Sequence, residues 1–145
     1  MITRLLETIH GHFAVLAAAA LLHPAILMRK GKALSFRGRL SVILTTAMVA
    51  GAFITGLVIY GDYRTGVRTG LFHQSVTAGL LFETKEHIAY GVLATSLGAC
   101  ACALLAPRKA DKLRRTAALF YGIAAALCLL TVGLGSYVAA VHGFR

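Results

Sequence analysis

The sequence predicts an all-α fold: an integral-membrane up-and-down four-helix bundle with a short interfacial segment in its outer loop. Three observations lead to this class: the composition, four long apolar stretches and two short basic loops. Of the 145 residues, 58% are hydrophobic and only 14% are charged, with a mean hydropathy of +0.76. A soluble domain is nearer a quarter charged, so the composition indicates a membrane protein.

The four apolar stretches are each long enough to cross a bilayer, since about 20 apolar residues span the hydrocarbon core as a helix. They are rich in Ala, Leu and Gly and lack the polar alternation of a β-barrel strand. Gly31 and Gly38 bracket the turn after the first stretch, and Pro107 ends the third. We therefore predict a single transmembrane domain over residues 1–145, with helices at about 9–28, 40–60, 87–106 and 116–141.

Basic residues are concentrated in the loops between helices 1 and 2 and between helices 3 and 4. These loops carry ten of the fifteen Lys and Arg residues and one acid, Asp111; the ten are Arg29, Lys30, Lys32, Arg37, Arg39, Arg108, Lys109, Lys112, Arg114 and Arg115. The positive-inside rule places both loops in the cytoplasm. Both termini then face the periplasm of a bacterial inner membrane, and the net charge of +10 reflects topology and anionic lipid rather than nucleic-acid binding.

The long outer loop, from about residue 61 to 86, contains a short apolar segment. Phe72, Val76 and Leu80 are spaced like one face of a helix, which predicts a short helix lying in the membrane interface.

Histidines are unevenly distributed across this topology. His10, His12, His73, His87 and His142 all fall on the outer side, whereas His23, which precedes Pro24, is the only histidine in the inner half. Ionisable residues at membrane depth are costly and are candidates for function. The outer histidines are therefore the candidate site, and His23 is expected to make a local hydrogen bond at the proline.

Small residues form stripes that run from these histidines along three of the helices. We expect the stripes to face inward, because small residues allow close approach. They are His12, Ala19 and His23 in the first helix; His87, Gly91, Ala94, Gly98 and Cys102 in the third; and Ala124, Cys128, Thr131, Gly135, Ala139 and His142 in the fourth.

His12 and His87 are predicted to lie at similar heights on the first and third helices, which are diagonal in an up-and-down bundle. Packed helices lie about 8–10 Å apart, so diagonal axes are about 11–14 Å apart. That spacing accommodates one iron between two inward imidazoles. His12 and His87 are therefore the preferred metal ligands, with His10 and His142 in reserve.

With these residues, the chain resembles the four-helix integral-membrane b-type cytochromes, in which histidines of antiparallel helices ligate haem between glycine-bearing faces. The resemblance covers most of the chain as architecture and depends on His12 and His87, with Gly91, Gly98 and Gly135 as close-approach positions. It implies one haem b near the periplasmic side. It also implies electron transfer, often with quinol, within a respiratory or related redox complex or to a periplasmic carrier. Arg64, Arg68 and Lys85 are candidate partners of the haem propionates.

Two other interpretations of the site remain open. Glu7 with His10, and Glu83 and Glu86 with His87, resemble the Glu-x-x-His pattern of metal-binding bundles, so a non-haem iron, copper or zinc site at the outer surface, with Asp62 and His73 nearby, is one alternative. A cofactor-free accessory subunit of a membrane complex is the other, since Gly and Ala faces also associate with partner helices. The sequence favours an electron-transfer or accessory subunit over a stand-alone enzyme.

Overall fold

A computed structural model describes the backbone of residues 2–143 and the side chains of residues 5–140. Five α-helices follow one another: α1 Ile2–Met28, α2 Phe36–Asp62, α3 Arg68–Gln74, α4 Val76–Leu105 and α5 Asp111–Gly143. A π-helical turn, Tyr63–Val67, joins α2 to α3. The predicted fold class is confirmed, because α1, α2, α4 and α5 are apolar and long enough to cross a membrane.

The four long helices form a bundle in which α1 and α4 occupy diagonal positions. Each of these two helices packs against both α2 and α5. The loops at 29–35 and 106–110 lie at one end of the bundle, which we call the short-loop end. The residues between α2 and the membrane part of α4 lie at the opposite end, which we call the hairpin end.

The long helices extend beyond the predicted boundaries, most of all α4. It begins at Val76 rather than near residue 87 and has 30 residues, or about 45 Å of helix against about 30 Å of hydrocarbon. Its first turns therefore project from the membrane. Hydropathy could not locate this start, because the projecting turns carry Glu83, Lys85 and Glu86.

Residues 63–85 form a helical hairpin that turns at Ser75. The backbone of Ser75 is extended (φ −161°, ψ 112°) and its hydroxyl accepts a hydrogen bond from the Ala78 amide, which caps α4. Phe72 packs against Gly79, whereas Val76 and Leu80 are exposed. The short helix therefore exists, but the predicted common face of Phe72, Val76 and Leu80 is wrong, since Ser75 divides these residues between two helices.

A buried arginine ties the two loops together at the short-loop end. Arg114 is 3% exposed, and its guanidinium donates to the carbonyl oxygens of Gly31 at 2.7 Å, Pro107 at 2.7 Å and Arg108 at 2.8 Å. Gly31 has φ +71° and lies so close to α5 that a Cβ there would be 2.8 Å from the Asp111 carbonyl oxygen. Glycine is the residue that accepts this conformation without strain.

The middle of the bundle is filled by small residues and one large aromatic side chain. Tyr121 of α5 is fully buried, and its hydroxyl is 2.8 Å from Thr46 Oγ1 of α2. This hydrogen bond crosses the α2–α5 diagonal. It therefore closes the space between α1 and α4 at that level.

Candidate functional site at the hairpin end

The two preferred ligand histidines lie on the outside of the bundle. His12 and His87 are both exposed. At about 100° per residue, His12 lies roughly opposite the buried Ala17 and Leu21, and His87 lies opposite the buried Ser96. The expectation that the two imidazoles face one internal cleft is therefore wrong, although their assignment as haem ligands stays a prediction.

Each of these imidazoles is held by its own helix in the same way. His12 Nδ1 lies 2.8 Å from the Thr8 carbonyl oxygen, and His87 Nδ1 lies 2.7 Å from the Glu83 carbonyl oxygen. Because a carbonyl oxygen only accepts, Nδ1 is the donor in each bond, and Nε2 is the ring nitrogen that these bonds leave unused. Both histidines thus leave Nε2 for another group on the outside of the bundle, and a carbonyl bond to the second ring nitrogen is also typical of metal-binding histidines.

His10, a reserve ligand, is the histidine of α1 that points into the bundle. It is half-buried, and its Nδ1 donates to the Ala52 carbonyl oxygen at 3.0 Å and lies 3.2 Å from Thr55 Oγ1. Its ring also packs on Gly56, where a Cβ would approach it to 3.0 Å. Two residues of helix correspond to about 200°, so His10 and His12 lie on nearly opposite faces, and the inward one is His10 rather than His12, whose stripe was expected to face inward.

Two of the three predicted close-approach glycines, Gly91 and Gly135, lie beside protein side chains. A Cβ at Gly135 would lie 3.6 Å from Lys85 Cδ, and a Cβ at Gly91 would lie 3.6 Å from Leu127 Cδ1. Lys85, expected at the outer surface, is half-buried, with its Nζ 4.1 Å from the centre of the Phe82 ring. Side chains of α4 and α5 therefore occupy the space beside these two glycines.

The middle of the small-residue stripe of α4 faces outward, contrary to expectation, whereas Gly91 lies beside Leu127 and Cys102 packs against the core. Ala94 is exposed, and a Cβ at Gly98 would meet no atom within 4 Å. The α1 residues Ala19 and His23 are also exposed, like His12. His23 Nδ1 lies 2.7 Å from Ser41 Oγ of α2, so its hydrogen bond joins two helices rather than staying local.

A polar pocket of about 330 Å³ does bring three predicted site residues together. It lies between α2, the π-helical turn and α4, and its lining residues are Tyr60, Arg64, Arg68, Glu83, Glu86 and His87. Arg68 donates from Nε to Glu83 Oε1 at 3.0 Å. The lining therefore combines two arginines, two glutamates and one imidazole.

Aromatic residues that the sequence did not single out support this pocket. Tyr63 stacks on Phe82 with ring centroids 3.6 Å apart, and Tyr60 stacks on Tyr63 at 6.3 Å. Tyr60 ends the second predicted span, and an aromatic residue at such a boundary is typical of the interfacial belt. The position of Tyr60 at the end of this span is therefore the sequence feature that could have pointed to the pocket.

The carboxylate-rich metal alternative gains no support from the described residues. Among residues 5–140, no three or more His, Cys, Asp and Glu side chains are grouped so that they could hold a metal ion. Glu7 and His73 are exposed, and the side chain of His142, the other reserve ligand, lies outside the described residues. Of the two acids near His87, Glu83 forms an ion pair with Arg68.

Comparison of the chain with models of protein families, with curated proteins and with solved structures gives no match.

Proposed function

We propose that this protein is a subunit of a larger membrane assembly and that a partner helix packs on the outward face of α4. The observation that carries the proposal is that His87 lies exposed on α4 while its Nδ1 is bonded to its own helix, so that Nε2 is left for a group outside the bundle. His87 is 18 residues from the end of α4 at Leu105, or about 27 Å along the helix and within the hydrocarbon. An imidazole facing lipid there is costly without a partner.

The outward face of α4 has the composition of a helix-association surface. Below His87 it presents Ala94, Gly98 and Ala101, and the two alanines are exposed. Since apolar side chains gain little by leaving lipid for protein, membrane helices associate where small residues let backbones pack closely. Gly98, with no atom near its Cβ position, offers such a surface.

Replacement of Ala94 tests this proposal. Ala94→Leu should convert the native assembly, extracted in mild detergent, to the free bundle, as measured by size-exclusion chromatography with light scattering. Ala47→Leu is the matched control, because Ala47 is an exposed alanine of α2. A wild-type protein of bundle size, or an Ala94→Leu variant that keeps the full assembly, would overturn the proposal.

A second candidate, an electron-transfer subunit with haem b, is favoured by the pocket that joins His87 to Arg64 and Arg68. Arginine forks match carboxylates such as propionates, and the Nδ1–carbonyl hydrogen bond of His87 suits a ligand. Haem would supply one-electron chemistry. This chain places one imidazole at the pocket, so any further haem ligand would come from the partner subunit, and quinol or a periplasmic carrier would exchange electrons with the haem.

Spectra of the assembly separate the two candidates. A haem subunit should give a sharp α-band in reduced-minus-oxidised spectra, and His87→Ala should remove it while His73→Ala, which changes an exposed histidine outside the pocket, should not. An assembly that stays intact and colourless rejects haem and leaves the accessory role. An α-band that survives His87→Ala would reject His87 as the ligand.

The orientation of the bundle is part of the proposal. We place the short-loop end, with ten of the fifteen basic residues, in the cytoplasm of a bacterial inner membrane and both termini in the periplasm. Alkaline phosphatase fused after Arg145 should then be active, and inactivity of a stably produced fusion would reverse the topology.

A further inference from the structure

A cleft of about 140 Å³ opens between the start of α2 and the end of α4 at the short-loop end. Its lining residues are Ala33, Leu34, Arg39, Ala103, Leu104, Ala106, Arg108 and Arg114. All the charged residues of this lining are arginines, and the remainder are Ala and Leu. A basic and apolar cleft of this kind differs from the hairpin-end pocket, where Glu83 and Glu86 accompany the arginines.

The arginines of this cleft are oriented by backbone carbonyls instead of acids. Arg39 reaches across from α2 and donates from Nη2 to the Leu104 carbonyl oxygen at 3.1 Å. Arg114 is held by three carbonyls and holds the Arg108 backbone in turn. Since a guanidinium has five N–H donors, Arg39 keeps donors for a further acceptor, and no carboxylate of the lining neutralises its charge.

The cleft also lies where a lipid headgroup would lie. Phe36 is 81% exposed and Leu105 is 78% exposed at the ends of the two flanking helices. Large apolar side chains so exposed at the end of a membrane helix mark the level at which hydrocarbon begins. Leu34 and Leu104 give the cleft apolar walls beside its charges.

We propose that this cleft binds the phosphate of an anionic phospholipid, with Arg39 and Arg108 contacting the phosphate oxygens and the acyl chains following the α2–α4 groove. Arginine forks suit phosphate, and basic pockets between membrane helices bind anionic headgroups. The proposal does not depend on the function proposed above, because it concerns the opposite end of the bundle. Arg114 has a structural role and is left unchanged in the test.

Native mass spectrometry of the full chain in detergent tests the site by titration with phosphatidylglycerol, phosphatidylcholine or inorganic phosphate. We expect phosphatidylglycerol to bind more tightly than phosphatidylcholine. The double variant Arg39→Gln/Arg108→Gln should weaken phosphatidylglycerol binding by about 10- to 30-fold, since each basic residue near a lipid surface contributes about 1 kcal/mol. The matched control is Lys32→Gln/Arg37→Gln, which removes two exposed charges from the same loop region but none from the cleft lining.

Three results would overturn the proposal. Equal weakening in the control variant would indicate diffuse surface attraction. Displacement of the lipid by inorganic phosphate at similar concentration would indicate a site for a small anion. Unchanged binding in the double variant would exclude the cleft. If the double variant does not fold, Arg108→Gln alone serves, because the Arg108 side chain makes no hydrogen bond to any residue in the described part of the chain, and it should still weaken binding several-fold.

Discussion

Helices α4 and α5 carry similar stripes of small residues, and the bundle uses them in opposite ways. In α5, Ala124 is fully buried and Cys128 is 6% exposed. In α4, Ala94 is exposed and Gly98 meets nothing at its Cβ position. A stripe of small residues therefore marks a face that can approach another helix closely, but it does not say whether that helix belongs to the same chain.

The two stripes differ in direction because the other faces of α4 and α5 differ in side-chain size. The buried face of α4 is also built from small residues, including Ser96, Ala99 and Ala103, so its two sides resemble each other. In α5 the buried face carries Tyr121 beside its alanines. A helix that is apolar all round gives no periodic signal for its inward side, and the part of α4 that follows His87 is nearly such a helix.

Replacing a buried small residue of the α5 stripe by leucine should reduce the stability of the bundle the most. Ala124→Leu places three additional carbon atoms in a site with no exposed surface and should cost about 1–3 kcal/mol of unfolding free energy through overpacking. Denaturation by sodium dodecyl sulfate, followed by circular dichroism, measures this loss. Ala126→Leu, at an exposed position of α5, is the control, and an equal loss there would contradict the assigned inward face.

His10 and His12 of α1 also differ in direction, since His10 faces the bundle and His12 faces outward, and we expect smaller effects from replacing them. His10→Leu removes the bonds to Ala52 and Thr55 of α2 and should cost about 0.6–1.7 kcal/mol, the range found for hydrogen bonds between membrane helices. His12→Leu removes only a bond to its own helix, so the isolated bundle should change by less than about 0.5 kcal/mol. The same denaturation assay measures both, and a larger loss for His12→Leu would reverse the assigned faces.

The sequence predicts the bundle well and the site poorly, for physical reasons that these residues show. The length of each span follows from hydropathy, and the diagonal placement of α1 and α4 follows from the short loops. Both patterns are averages over many residues, so single positions do not decide them. The direction of His12 depends on helix phase, which only the packing of Phe13, Ala17 and Leu21 against the other helices fixes. Similarly, the meeting of His87 with Arg64 requires the π-helical turn at Tyr63–Val67, and π turns leave no reliable sequence pattern.

Replacement of Gly98 on the outward stripe should have the smallest effect on the bundle and yet disrupt the assembly. A Cβ at this position would meet no atom within 4 Å, so Gly98→Leu should leave the unfolding free energy of the isolated bundle within about 0.5 kcal/mol or raise it, because glycine is a poor helix former. It should nevertheless remove the partner, since the leucine would hold the partner backbone away.

The matched control for this variant is Gly133→Leu. Gly133 is an exposed glycine of α5 that likewise meets nothing at its Cβ position, so both variants add the same side chain to open space. Loss of assembly only in Gly98→Leu would assign the partner to the α4 stripe. Loss in both would mean that the partner surrounds the bundle, and loss only in Gly133→Leu would move the partner from α4 to α5.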